Sequence, residues 1–158
     1  METTRHFVAT VYVVSDGAVA LHEHDKLDMW LPAGGHVDRD ELPHEAALRE
    51  TREELGFDVD LVAPEEDIES ETVRSIPQPQ HFLLEDINVH ESGDVGHQHI
   101  DFIFYGVAPT RDIDPGPGEQ PAEDWTWFTP EQLAGRSDEL PADVVEVGQR
   151  AIEAVSGR

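Results

Sequence analysis

The stretch GHVDRDELPHEAALRETREELGF, from Gly35 to Phe57, decides how the rest of the chain is read. Its second half predicts a helix over Pro43 to Leu55. Ala46, Ala47, Leu48, Thr51 and Leu55 recur at helical spacing, Pro43 stands at a first-turn position where its missing N–H costs nothing, and Gly56 ends the helix. Leu42 is a poor cap, weaker than Ser or Thr by about 1 kcal/mol. Glu50, Glu53 and Glu54 fall within about 100° of one another around the helix, with Leu48, Thr51 and Leu55 on the opposite side. Like charges so spaced destabilise an isolated helix by about 0.2–0.5 kcal/mol per pair, so this face meets either solvent and salt or a bound cation. All-oxygen ligands select a hard ion, with Mg²⁺ the physiological choice and Mn²⁺ its substitute. The plain alternative is that these glutamates are merely solvated.

On the N-terminal side, Arg5 to Val14 alternates and is rich in Phe, Val, Thr and Tyr, which predicts a strand that Ser15-Asp16-Gly17 turns into a second one over Ala18 to His22. A polar stretch from His22 to Asp28 leads to a short strand at Met29 to Leu31. Pro32-Ala33-Gly34-Gly35 reads as a loop whose paired glycines permit positive φ and close backbone approach. On the C-terminal side, Phe57 to Val62, His81 to Val89, His99 to Val107 and Glu123 to Phe128 are expected strands. Ala63 to Glu71 and Pro109 to Pro121 are connections. A short helix from Thr129 through Leu133 and a terminal one over Pro141 to Val155 complete the pattern. No internal repeat or linker interrupts it, so residues 1–158 are expected to form one domain, a mixed sheet with helices on both faces.

Composition narrows the partners. The 158 residues carry 35 Asp plus Glu against 10 Lys plus Arg, a formal charge of -25. No window supplies the basic patch that binding to a nucleic acid duplex or an anionic membrane requires. A phosphate-bearing substrate needs a metal escort. With no cysteine, disulfides, thiolate zinc sites and a cysteine nucleophile are excluded. No apolar run spans a bilayer and the start lacks a signal-peptide pattern, which leads us to expect a cytoplasmic protein. Nine of the ten cations are arginine and Lys26 is the only lysine. That bias, with so large a charge, resembles proteins adapted to molar salt, where self-repulsion is screened over about 3 Å.

Gly35, Glu41, Arg49-Glu50, Glu53-Glu54, Gly56 and the hydrophobic Phe57 together resemble the signature box of the Nudix hydrolases. Thr51 departs from the aliphatic residue preferred there, a small loss of core packing. Trp30-Leu31-Pro32-Ala33-Gly34 and Trp125-Thr126-Trp127-Phe128 also look like this family. The resemblance implies an α/β/α sandwich and hydrolysis of a nucleoside diphosphate linked to another moiety, at its pyrophosphate bond, by water and a divalent metal. It further implies Glu50, Glu53 and Glu54 as metal ligands, with the backbone carbonyl of Gly34 as a further contact. Arg49 would hold a carboxylate in place, with Glu41 and Gly35 in supporting positions. The carboxylate that accepts the proton of the attacking water lies on the box helix or in a later loop, so Glu53, Glu119 and Glu123 are candidates in that order, beside Glu50 in the catalytic cluster. Family members are often homodimers.

Two readings stand beside this one. A Nudix-type isopentenyl diphosphate isomerase relies on a cysteine that the chain lacks. A catalytically silent nucleotide-binding or regulatory domain would be expected to have degraded box glutamates. Outside the box, His97, His99 and Asp101 share one strand face and are candidates for contact with substrate or a second metal. Trp30 is a candidate to stack on a base. No loop carries a signature that names the substrate.

Overall fold

The structure is a computed structural model that describes residues 2–24 and 29–158. Residues 25–28, the end of the polar stretch expected after the second strand, lie outside the described residues. The elements are β1 (Thr4–Ser15), β2 (Ala18–His24), β3 (Met29–Leu31), β4 (Ala33–His36), α1 (Pro43–Leu55), β5 (Asp60–Leu61), β6 (His81–Val89), β7 (Val95–Val107), β8 (Trp125–Phe128), α2 (Pro130–Gly135) and α3 (Ala142–Ser156), with a 3-10 turn at Ala122–Asp124.

All eight strands join one mixed sheet. Its centre is the parallel pair of β1 and β7, in register from Thr4 opposite His97 to Val14 opposite Val107. On the other flank β1 pairs with β4 over Val8 to Val11 and with β2 only at Val14 and Ser15. Between those two pairings, at Tyr12 and Val13, β4 and β2 diverge.

The period-2 alternation of β1 sorts its side chains into two cores. Ala9, Val11 and Val13 pack with Ala46, Ala47 and Leu55 of α1. Tyr12 and Val14 pack with Leu133 of α2 and Val144, Val147 and Ala151 of α3. The result is an α/β/α sandwich, the architecture the family resemblance implies.

Three local expectations change. Pro32 to Gly35 is not a loop: Ala33–His36 is a strand on β1, and neither Gly34 nor Gly35 has positive φ. Their smallness matters for approach instead, since a Cβ on Gly34 would lie 2.5 Å from the Ala9 carbonyl oxygen. Of Phe57 to Val62 only Asp60 and Leu61 pair as a strand, because Phe57 and Val59 turn in to the α1-side core. Glu123 belongs to the 3-10 turn, and the last strand begins at Trp125. Helix α1 has the expected bounds. Its uncapped start is closed by Glu45, whose Oε1 accepts from the Leu42 N–H at 2.8 Å. Gly56, at φ 82°, ends it in the left-handed conformation that favours glycine.

Candidate active site

Helix α1 packs against β4, so its inward carboxylates meet the glycine backbone there. The Gly34 N–H donates to Glu54 Oε2 at 2.8 Å. Gly35 leaves the space that Glu50 fills: a Cβ there would lie 2.3 Å from Glu50 Oε1. Glu50 and Glu54 are thus turned inward while Glu53 stays exposed, a grading that equal spacing around a helix does not reveal.

Arg49 organises the outer side. Its Nε and Nη2 grip both oxygens of Glu41, at 2.7 and 2.9 Å, while Nη1 reaches Glu50 at 3.0 Å and Glu53 at 3.3 Å. Nη2 also donates to the carbonyl of His36 at 3.1 Å. The planar fork is suited to this bidentate grip, and the Arg49 hydrogen bonds hold Glu41 below the usual carboxylate range. Inside, the direction reverses. Burial pushes Glu54 up to about 8 against the Gly34 hydrogen bond, and the charges of Glu50, Glu119 and Glu53 add to the rise. Glu50 is likewise raised, by burial first and then by Glu53 and Glu119, with Arg49 opposing. A cluster with more negative charge than its one arginine offsets is a donor set that a hard dication fits, and Glu50, Glu53 and Glu54 could hold it.

The cluster opens into a cavity of about 660 Å³. Glu54, Gly34 and Gly35 line one part of it, and Glu119 from the loop after β7 lines it beside them. The floor reaches under α3, where Asp101 is buried and accepts from Thr10 Oγ1 at 3.0 Å through Oδ2. Burial, and next the adjacent Glu85, raise Asp101 to about 8. Its Oδ1 has no hydrogen-bond partner as a carboxylate oxygen, so the protonated form, able to donate toward Glu85, is the one the site accommodates. His22 and Trp125, with ring centroids 4.5 Å apart, add an aromatic wall.

The predicted residues therefore separate. Glu50, Glu53, Glu54, Gly34, Gly35, Glu41 and Arg49 come together around the end of α1. Glu119, His99 and Asp101 line the cavity. Glu123 is exposed and lies outside its lining, as does His97, which is held by Thr4 with Oγ1 2.8 Å from its Nδ1. Trp30 packs edge-on against Phe128 and under the Arg136 guanidinium, away from the cavity. His22, His36, Glu85 and Asp143 also line it and were not singled out from the sequence. Only strand register and the docking of α3 bring them there, and no local spacing announces it.

A carboxylate-bearing helix packed on a glycine strand, opening on a cavity in a mixed α/β/α sandwich, defines the class. The NUDIX domain profile matches residues 4–154, and the chain belongs to that family. The chain is similar to a NUDIX-family hydrolase from Clostridium perfringens at 28% identity and a TM-score of 0.80, over 96% of this chain and 99% of that one. Two more distant structures share the fold. The MutT protein of Bacillus halodurans aligns at 16% identity and TM-score 0.62, over 93% of this chain and 82% of that one. An Ap4A hydrolase of C. elegans aligns at 18% and 0.57, over 96% and 99%. No curated protein matches the chain by sequence.

Proposed function

We propose that this protein hydrolyses a nucleoside diphosphate linked to another moiety, using a divalent cation, Mg²⁺ or in its place Mn²⁺, held by Glu50, Glu53 and Glu54. The observation that carries this is the inward pair Glu50 and Glu54, pressed against Gly34 and Gly35 and raised first by burial and then by the neighbouring carboxylates. When bound, the cation supplies screening between two polyanions, polarisation of a phosphoryl oxygen and acidification of a water.

The chain's own residues do the rest. Arg49 keeps Glu50 and Glu53 in orientation while Glu41 holds the guanidinium. Gly34 and Gly35 admit the carboxylates to the backbone. Glu119 faces the cavity beside Glu54, whereas Glu53 is engaged with Arg49 and Glu123 is remote. On this reading Glu119 takes the proton of the attacking water at a carboxylate oxygen, from a loop rich in Pro and Gly that could close over substrate. The wall of His22 and Trp125 offers an apolar face for a base, whereas Trp30 packs against Phe128. Dinucleoside polyphosphates, ADP-ribose, nucleotide sugars and oxidised nucleoside triphosphates all fit this chemistry.

The test is phosphate or nucleotide release from a panel of those compounds, with Mg²⁺, with Mn²⁺ and with chelator, in molar KCl. Turnover of one class that stops with chelator supports the proposal. Tight binding without turnover would replace it by the silent nucleotide-binding reading.

A further inference from the structure

A second group of metal-ligating side chains lies on the α3-side face of the sheet and uses no glutamate of α1. His6 on β1 is paired in register with His99 on β7, and His36 on β4 stands opposite Val8, two residues along β1. Side chains two residues apart on one strand share a face, so three adjacent strands place these imidazoles together. One ring nitrogen from each of His6, His36 and His99 lies within 4.8 Å of the other two. The ring centroids are 5.2 Å apart for His6 and His36 and 5.3 Å for His36 and His99. His97 packs edge-on against His6 at 4.7 Å and closes one side.

From this geometry we infer that His6, His36 and His99 form a binding site for a borderline transition-metal dication of the Zn²⁺ class, separate from the carboxylate cluster of α1. Three imidazole nitrogens suit zinc, cobalt and nickel, whereas Mg²⁺ prefers oxygen donors, so the two sites select different ions by donor chemistry. Zinc–nitrogen bonds are about 2.0–2.1 Å, and closing the observed triangle on an ion asks each ring to move by about 1 Å. His6 and His36 are exposed and have room to do so. Glu85 is the direct cross-strand partner of His99, a register position from which a carboxylate can orient a ligating imidazole. Because His36 and His99 also line the cavity, the site adjoins the space beside the α1 carboxylates.

The experiment is calorimetric titration of the whole protein with Zn²⁺ in saturating Mg²⁺, followed by zinc-edge absorption spectroscopy of the complex. One zinc per chain with imidazole nitrogens at about 2.0 Å is expected. His6→Ala and His99→Ala should each weaken zinc binding by at least ~10-fold, while Glu50→Gln leaves it unchanged. Metal-free melting curves establish that the variants fold. Should His99→Ala unfold, exposed His6→Ala decides by itself. Absence of zinc uptake by the wild type, equal affinity in the histidine variants, or loss of zinc in Glu50→Gln would each overturn the assignment. None of these readings depends on the substrate or on turnover.

Discussion

The backbone N–H of Gly34 donates to Glu54 Oε2 at 2.8 Å, and this bond ties the strand beside β1 to the last turn of the carboxylate helix. With Glu50 filling the space above Gly35, two neighbouring glycines set the depth at which two carboxylates sit.

Gly35→Ala should therefore displace Glu50. The added methyl meets Glu50 at 2.3 Å, so the side chain has to move. Turnover is expected to fall by ~100-fold, since misplacement by about 1 Å costs that much at a catalytic centre. A divalent-metal titration of activity should show a higher requirement, with thermal stability much less affected. Normal kinetics in this variant would contradict the positioning role.

Glu119→Gln and Glu53→Gln separate proton transfer from metal binding. Glu119→Gln should lower kcat by ~100-fold with metal affinity retained. Glu53→Gln should lower turnover by at least ~100-fold with the fold preserved, and excess Mn²⁺ should restore part of it. The opposite pattern would move the base to Glu53.

Arg49→Lys tests the fork between Glu41 and the cluster. A lysine ammonium cannot grip both Glu41 oxygens while reaching Glu50 and Glu53. Activity should fall by ~10-fold or more, and Glu41→Gln in the same background should add little, because both act through one network. Fully additive losses in a double-mutant cycle would show that the two residues act independently.

Asp101 gives a pH dependence of stability. Its carboxyl is raised from 3.8 in the unfolded chain to about 8 in the fold. The folded state then binds the extra proton between those values, so this group's contribution is full below about pH 4 and is lost as pH rises through 8. Asp101→Asn removes the dependence. The variant should gain stability relative to wild type in denaturant titrations as pH is raised from 5 to about 9, and a constant difference would refute the buried acid.

The charge of -25 with a single lysine gives the last prediction. Melting temperature should climb as KCl goes from low to multimolar concentration, because screening relieves self-repulsion among the carboxylates. Equal stability throughout would reject adaptation to high salt.

Helix α1 was legible from end to end because a helix is a local object. Proline at its start, glycine after its end and apolar recurrence between them lie in and directly beside a helix of thirteen residues. Even Thr51, the departure from the box pattern, is explained locally: it is fully buried, and its hydroxyl donates to the Ala47 carbonyl at 2.7 Å. The long strands β1 and β6 were legible, β1 from its alternation, whereas β7 was legible only from His99 onward and in fact begins at Val95. Strand β4 was not, since four residues with two glycines look like a turn until β1 is beside them.

Sequence alone determined the box, its helix, the acidic surface and the class of chemistry, because each rests on residue types at short spacing. Tertiary structure alone decided that Glu50 and Glu54 turn inward while Glu53 stays out. It also decided that Glu119 rather than Glu123 reaches the cavity, and that histidines from residues 6, 36 and 99 converge. The reason is physical: burial and proximity across strands depend on which elements pack together, and a parallel pairing of β1 with β7 spans some ninety residues of chain that no local pattern encodes.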